Sequence, residues 1–150
     1  MAARKSMGSS VAATERVALS RLWAVGLATT VLVTVANLVI YGVTAAIFDG
    51  VRTWPLLSVG AVIVSSIAYL LAATLVYAGL GVLTRRPITT FRVVGVVALL
   101  LSFVPPLMAG AGALVGVPPA DGPTVAALLL MHIVSGALTI GLFTTKGRAD

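Results

Sequence analysis

His132 is the only histidine in the chain, and it stands in the middle of a stretch that carries no charge. An imidazole gains and loses its proton near neutral pH, so this residue is the first candidate for proton transfer or ligand binding. Three other uncharged stretches bring polar side chains to a comparable depth. Asn37 lies in the first, Ser65, Ser66 and Tyr69 in the second, Ser102 in the third, and Ser135 follows His132 in the fourth. At about 1.5 Å rise per residue, Asn37, Ser65, Ser66 and His132 fall roughly 15 Å from one end of their segments. Tyr69, Ser102 and Ser135 sit slightly deeper. Pro105 and Pro106 occupy the same level in the third stretch. Neither offers an N–H, so the carbonyls of Leu101 and Ser102 lose their helical partners and the helix must kink.

Two uses of this layer are open. In the structural one, His132 donates an N–H to a carbonyl freed by the proline pair, while Asn37 and the serines tie helices together. Hydrogen bonds of that kind contribute roughly 0.6–2 kcal/mol each. In the functional one, the same residues line a polar cavity or pathway, and His132 carries a proton or holds a ligand. Other chemistry is poorly supplied. Glu15, Asp49, Asp121 and Asp150 all lie outside the uncharged stretches, so no buried carboxylate is available for coupling to a cation. One histidine and no cysteine cannot build a zinc site or bis-histidine haem ligation within one chain. No catalytic residues, metal ligands or cofactor are expected.

The elements that position these residues follow from the solvent they require. Apolar residues make up 59% of the chain and charged ones 9%, with a mean hydropathy of +1.13. Soluble domains hold roughly 45–50% apolar residues. The uncharged stretches are apolar on every side and show no alternation, which favours membrane helices over barrel strands. Each reaches the roughly 20 residues needed to cross a bilayer. The expected fold is an all-α membrane protein, a four-transmembrane-helix antiparallel bundle with a proline-kinked third helix. Residues 22–145 form its single domain, with spans at about 22–48, 55–83, 92–116 and 123–145. Pro55 and Pro123 are placed in the first turns of their helices.

Of the 10 Lys and Arg residues, only Arg52 falls on the side opposite the termini. The positive-inside rule then puts the basic segment 1–21 and the tail 146–150 in the cytoplasm of a multi-pass plasma-membrane protein. Residues 1–10 read as disordered, and Val11 to Arg21 as a short helical lead-in. The first apolar run exceeds the roughly 7–15 residues of a signal-peptide core, so a retained helix is expected. The net charge of +6 is dispersed without interleaved aromatics, which argues against nucleic acid. Gly112 and Gly116, Ala68 and Ala72, and Ala137 and Gly141 have the spacing of close helix contacts.

Two short motifs, Ser102-Phe103-Val104-Pro105-Pro106 and Leu128-Leu129-Leu130-Met131-His132, carry a resemblance to small four-pass actinobacterial membrane proteins of unknown function. The resemblance implies topology and no activity. The expected function is a non-enzymatic structural, accessory or partner-binding bundle whose partners are the lipid bilayer and either further copies of itself or another membrane protein. One alternative is a small permease or channel with a midplane site around His132, linked to protons; another is a lipophilic-ligand binder in which the kinked third helix opens a side cleft.

Overall fold

Long runs of Ala, Leu and Val become helices in hydrocarbon because each backbone N–H and C=O must find its partner within the segment. A computed structural model describes residues 15–149. The expected disorder of residues 1–10 and the proposed start of a lead-in at Val11 lie outside the described residues. The elements are α1 (Leu19–Ile47), α2 (Asp49–Thr53), α3 (Val59–Leu83), α4 (Pro87–Leu101), α5 (Val104–Gly110) and α6 (Gly122–Lys146). Four helices are long and apolar enough to cross a membrane: α1, α3, α6 and a third span, Pro87–Gly110, made of α4 and α5.

The spans form a ring. α1 packs on α3 and α6, α4 packs on α3 and α6, and α1 lies diagonal to the third span. The inside of this ring is more polar than its outside. Along α1 the buried residues are Leu22, Gly26, Thr29, Val33 and Asn37. Its exposed face carries Trp23, Leu27, Val31, Val35, Val39, Val43 and Ile47, one every fourth residue. Lipid tails are as apolar as leucine, so small and hydrogen-bonding residues gather at the contacts instead. Gly26 shows why: a Cβ there would meet Thr74 Oγ1 at 2.7 Å. Thr29, Thr74, Thr139 and Thr144 are tolerated inside because each hydroxyl donates to the carbonyl one turn back, as Thr29 does to Val25 and Thr74 to Leu70.

The third span departs from a simple kink. α4 begins at Pro87, earlier than expected, and ends at Leu101; a turn at Ser102 and Phe103 separates it from α5. Pro105 and Pro106 thus open a new short helix, where a missing N–H costs little. α5 stops at Gly110, short of the expected 116. Gly112 (φ +68°) and Gly116 (φ +75°) are left-handed turn residues in the following loop, so they form no helix-contact motif. Ala68, Ala72, Ala137 and Gly141 all lie exposed and do not join helices within this chain. Pro55 also differs from expectation. It lies in a turn before α3, and Ser58 caps that helix by accepting a hydrogen bond from the Ala61 amide at 3.2 Å.

The two ends of the described chain lie at the same end of the ring. The described part of the lead-in, residues 15–18, is extended rather than helical, because it pairs with the tail. Val17 bridges Arg148 antiparallel; Ala18 N–H donates to the Gly147 carbonyl at 3.0 Å and Ala149 N–H to that of Arg16 at 2.9 Å. At the opposite end, α2 and the loop after α5 fold over the bundle, and Trp54 Nε1 donates to the Pro118 carbonyl at 2.9 Å.

Candidate functional site

Asn37 projects from α1 into the centre of the ring and is 6% exposed. Its amide donates to Ser66 Oγ on α3 at 3.2 Å and to Ser135 Oγ on α6 at 2.9 Å. One side chain therefore ties three spans at mid-depth. An amide buried in hydrocarbon must spend its donors somewhere, and two serines on facing helices take them.

Directly beside this clamp lies a cavity of about 320 Å³. Asn37, Ser65, Ser66, Tyr69, Ser102, His132 and Ser135 all border it, together with Leu56, Leu57, Ala61, Val62, Leu128 and Met131. Pro105 and Pro106 do not. The proline pair shapes the site from a distance, by ending α4 at its edge. In the half of the ring nearer the termini, α4 packs against both α3 and α6. Beyond the Ser102 turn, α5 stays on α6 and forms no packed seam with α3. The cavity lies between α3 and α6 just past the end of α4, with Ser102 at its edge and no residue of α5 on its wall.

His132 does not serve the proline-freed carbonyls. Its Nδ1 lies 2.7 Å from the carbonyl oxygen of Leu128, one turn back on α6. A carbonyl can only accept, so Nδ1 carries a proton, and the ring borders the cavity. Ser65 donates its hydroxyl to the Val62 carbonyl at 3.2 Å, and Ser102 donates to that of Leu99 at 2.6 Å. Their protons are spent within their own helices while their lone pairs remain. The wall thus offers serine lone pairs, the Tyr69 and Ser66 hydroxyls and the His132 ring, and carries no carboxylate, lysine or arginine.

Toward the termini the ring is closed. Tyr77, Phe91 and Phe143 meet with centroid separations of 4.7, 5.5 and 5.6 Å, two of the contacts edge to face. Tyr77 and Phe143 are fully buried. Above them Glu15 reaches the N-terminus of α4, accepting from the Ile88 and Thr89 amides at 3.0 Å and from the Thr89 hydroxyl at 2.6 Å. A carboxylate favours that position because helix N-termini carry unpaired N–H groups and partial positive charge. The Thr89 hydroxyl and amide, with the Ile88 amide, hold the Glu15 carboxyl below its ordinary value. Sequence reasoning missed this lid. Glu15 is 73 residues from Ile88, and nothing local ties them together; the three rings gave a weak signal, as bulky residues near span ends.

Four apolar helices around a mid-depth cavity edged by polar side chains define the class: a small all-helical bundle of the multi-pass membrane type. The chain belongs to DUF6069, a family of unknown function that matches residues 17–149. No curated protein matches it, and neither does any solved structure.

Proposed function

We propose that this chain is a non-enzymatic plasma-membrane bundle, termini in the cytoplasm, that binds one uncharged, hydroxyl-bearing lipophilic molecule in its mid-depth cavity. The observation that carries this reading is a wall of serine lone pairs, the Tyr69 hydroxyl and the His132 ring with no acidic, lysine or arginine side chain on it. A ligand that supplies a hydrogen-bond donor satisfies that wall; a carboxylate or phosphate would meet lone pairs and a desolvation cost. The volume falls at the lower end of the roughly 300–1,000 Å³ of small-molecule sites. Where α4 ends at Ser102, α3 has no packed seam with the following α5, and that opening would give such a molecule a lateral route from the bilayer. The positions of the cations support the orientation.

The test uses the full chain in nanodiscs with a long-chain alcohol carrying a photoreactive diazirine. Crosslinks should concentrate on Tyr69 and Met131, and should fall steeply when Ala61→Trp fills the cavity or His132→Phe removes the imidazole. The matching methyl ether, which cannot donate, should compete poorly. Labelling spread over the outer faces, unchanged in both variants, would overturn the reading.

One observation favours a second reading, a proton-linked permease: the sole imidazole of the chain stands on the cavity wall. That reading requires a route past Tyr77, Phe91 and Phe143. Proton uptake into liposomes that depends on the protein and is abolished by His132→Gln would establish it over simple binding.

A further inference from the structure

A second concavity, of about 440 Å³, runs along the outside of the ring between α1 and α6, in the half nearer the termini. Arg21 and Lys146 stand at its mouth, and Ala24, Ala28, Leu32 and Leu142 line it. It is separate from the midplane cavity and shares none of its residues. The small side chains of Ala24 and Ala28 keep its floor low, and Thr29 spends its hydroxyl on the Val25 carbonyl at 2.7 Å. Thr29 is 1% exposed, so the floor offers a ligand mainly apolar surface. Along α1, the distance from Arg21 to Leu32 is roughly 16 Å at 1.5 Å per residue. That is about half of a hydrocarbon core of about 30 Å, the depth of one leaflet.

The mouth is cationic and unneutralised within the described residues. The ion pair there is Asp49 with Arg52, at the other end of the molecule. Glu15, on the same end as the groove, is engaged by Ile88 and Thr89. Two cations above an apolar channel one leaflet deep match a molecule with a negative head and a long tail. We propose that the α1–α6 groove binds one anionic phospholipid, its phosphate between Arg21 and Lys146 and one acyl chain lying over Ala24 and Ala28. Basic pockets between membrane helices hold anionic headgroups in this way. The bound lipid fixes the register of the termini end in its leaflet and shields the seam between α1 and α6 on its outer side.

Native mass spectrometry of the full-length chain from micelles doped with phosphatidylglycerol or phosphatidylcholine of identical chains tests this. One phosphatidylglycerol should be retained in preference to phosphatidylcholine. A cation near a headgroup surface contributes about 1 kcal/mol, which corresponds to about fivefold in affinity, so Arg21→Gln with Lys146→Gln should weaken retention about thirtyfold. Arg85→Gln with Arg92→Gln removes the same charge from the same end, outside the groove, and should leave retention nearly intact. Ala28→Leu, at an exposed site, should weaken retention without altering charge. Equal losses in the two arginine-containing pairs would overturn the site in favour of diffuse surface attraction. Displacement by millimolar inorganic phosphate, with Ala28→Leu silent, would overturn the lipid in favour of a free anion.

Discussion

The two halves of the ring differ in what fills the space between the helices. Near the termini, Leu22, Val33, Leu70, Tyr77, Phe91 and Phe143 pack into one cluster under a lid of paired chain ends. Toward the loop end, Val51, Trp54, Leu57, Val62, Ala109, Ala120, Ala127 and Met131 form a second cluster that leaves a cavity beside it. The same α6 serves both halves. The third span makes the difference. While it remains α4 it interlocks with α6, Gly95 receiving Ile140 and Gly136 receiving Leu99. After the Ser102 turn it becomes α5, keeps α6 and releases α3. A break in one helix, set by two prolines, thus converts a packed bundle into one with a side opening. On the proposed reading, the closed half should carry more of the stability and the open half the ligand site.

The largest effect should come from the closed half. Phe143→Ala removes a fully buried ring that stacks on Phe91 and meets Tyr77 edge-on. It should cost about 3–5 kcal/mol, read by steric-trap unfolding in bicelles. His132→Ala, on the open side, should change the same readout little while abolishing alcohol crosslinking. A comparable loss for both would erase the distinction between the halves. Asn37→Leu sits at their boundary. It removes the interhelical bonds to Ser66 and Ser135 and should cost roughly 1–3 kcal/mol for the pair of contacts. If Ser66→Ala and Ser135→Ala combined cost nothing, the clamp is not what holds the three spans.

The smallest effect concerns the lid. The folded chain holds the Glu15 carboxyl below the ordinary value of 4.5, so its stabilising contribution is complete above that value. It is lost as pH falls through the lowered one. Thermal melts of the wild type should therefore drop modestly on strong acidification, and Glu15→Gln should be lower near neutrality and flatter in acid. A Glu15→Gln melt equal to wild type at neutral pH would show that the clasp holds without the carboxylate.

The helix count and the polar layer were legible because lipid imposes strong rules: charge is expelled to the span ends, and a polar residue within a span stands out. Counting residues from the ends then placed Asn37, Ser65 and His132 at one level, and they do border one cavity. What could not be read was which partner each would choose. His132 had the carbonyls of Leu101 and Ser102 on offer at the right depth, yet it donates to Leu128 on its own helix. A local carbonyl one turn away is always within reach, while a facing helix must be brought close, and the Ser102 turn moves the third span aside. The Glu15 lid was equally hidden, since it joins residues 73 or 74 apart through a segment that looks helical by composition.

The absence of cysteine from the sequence makes one direct measurement clean. Single cysteines replacing Ser102 at the cavity edge and Thr139, 1% exposed in the closed half, can be challenged with a small neutral thiol reagent in native membranes. With an open cavity against a sealed core, Ser102→Cys should react many times faster than Thr139→Cys, and Ala61→Trp should suppress that reaction. Equal rates at the two positions, or a Ser102→Cys rate indifferent to Ala61→Trp, would contradict the division of the molecule into a closed half and an open one.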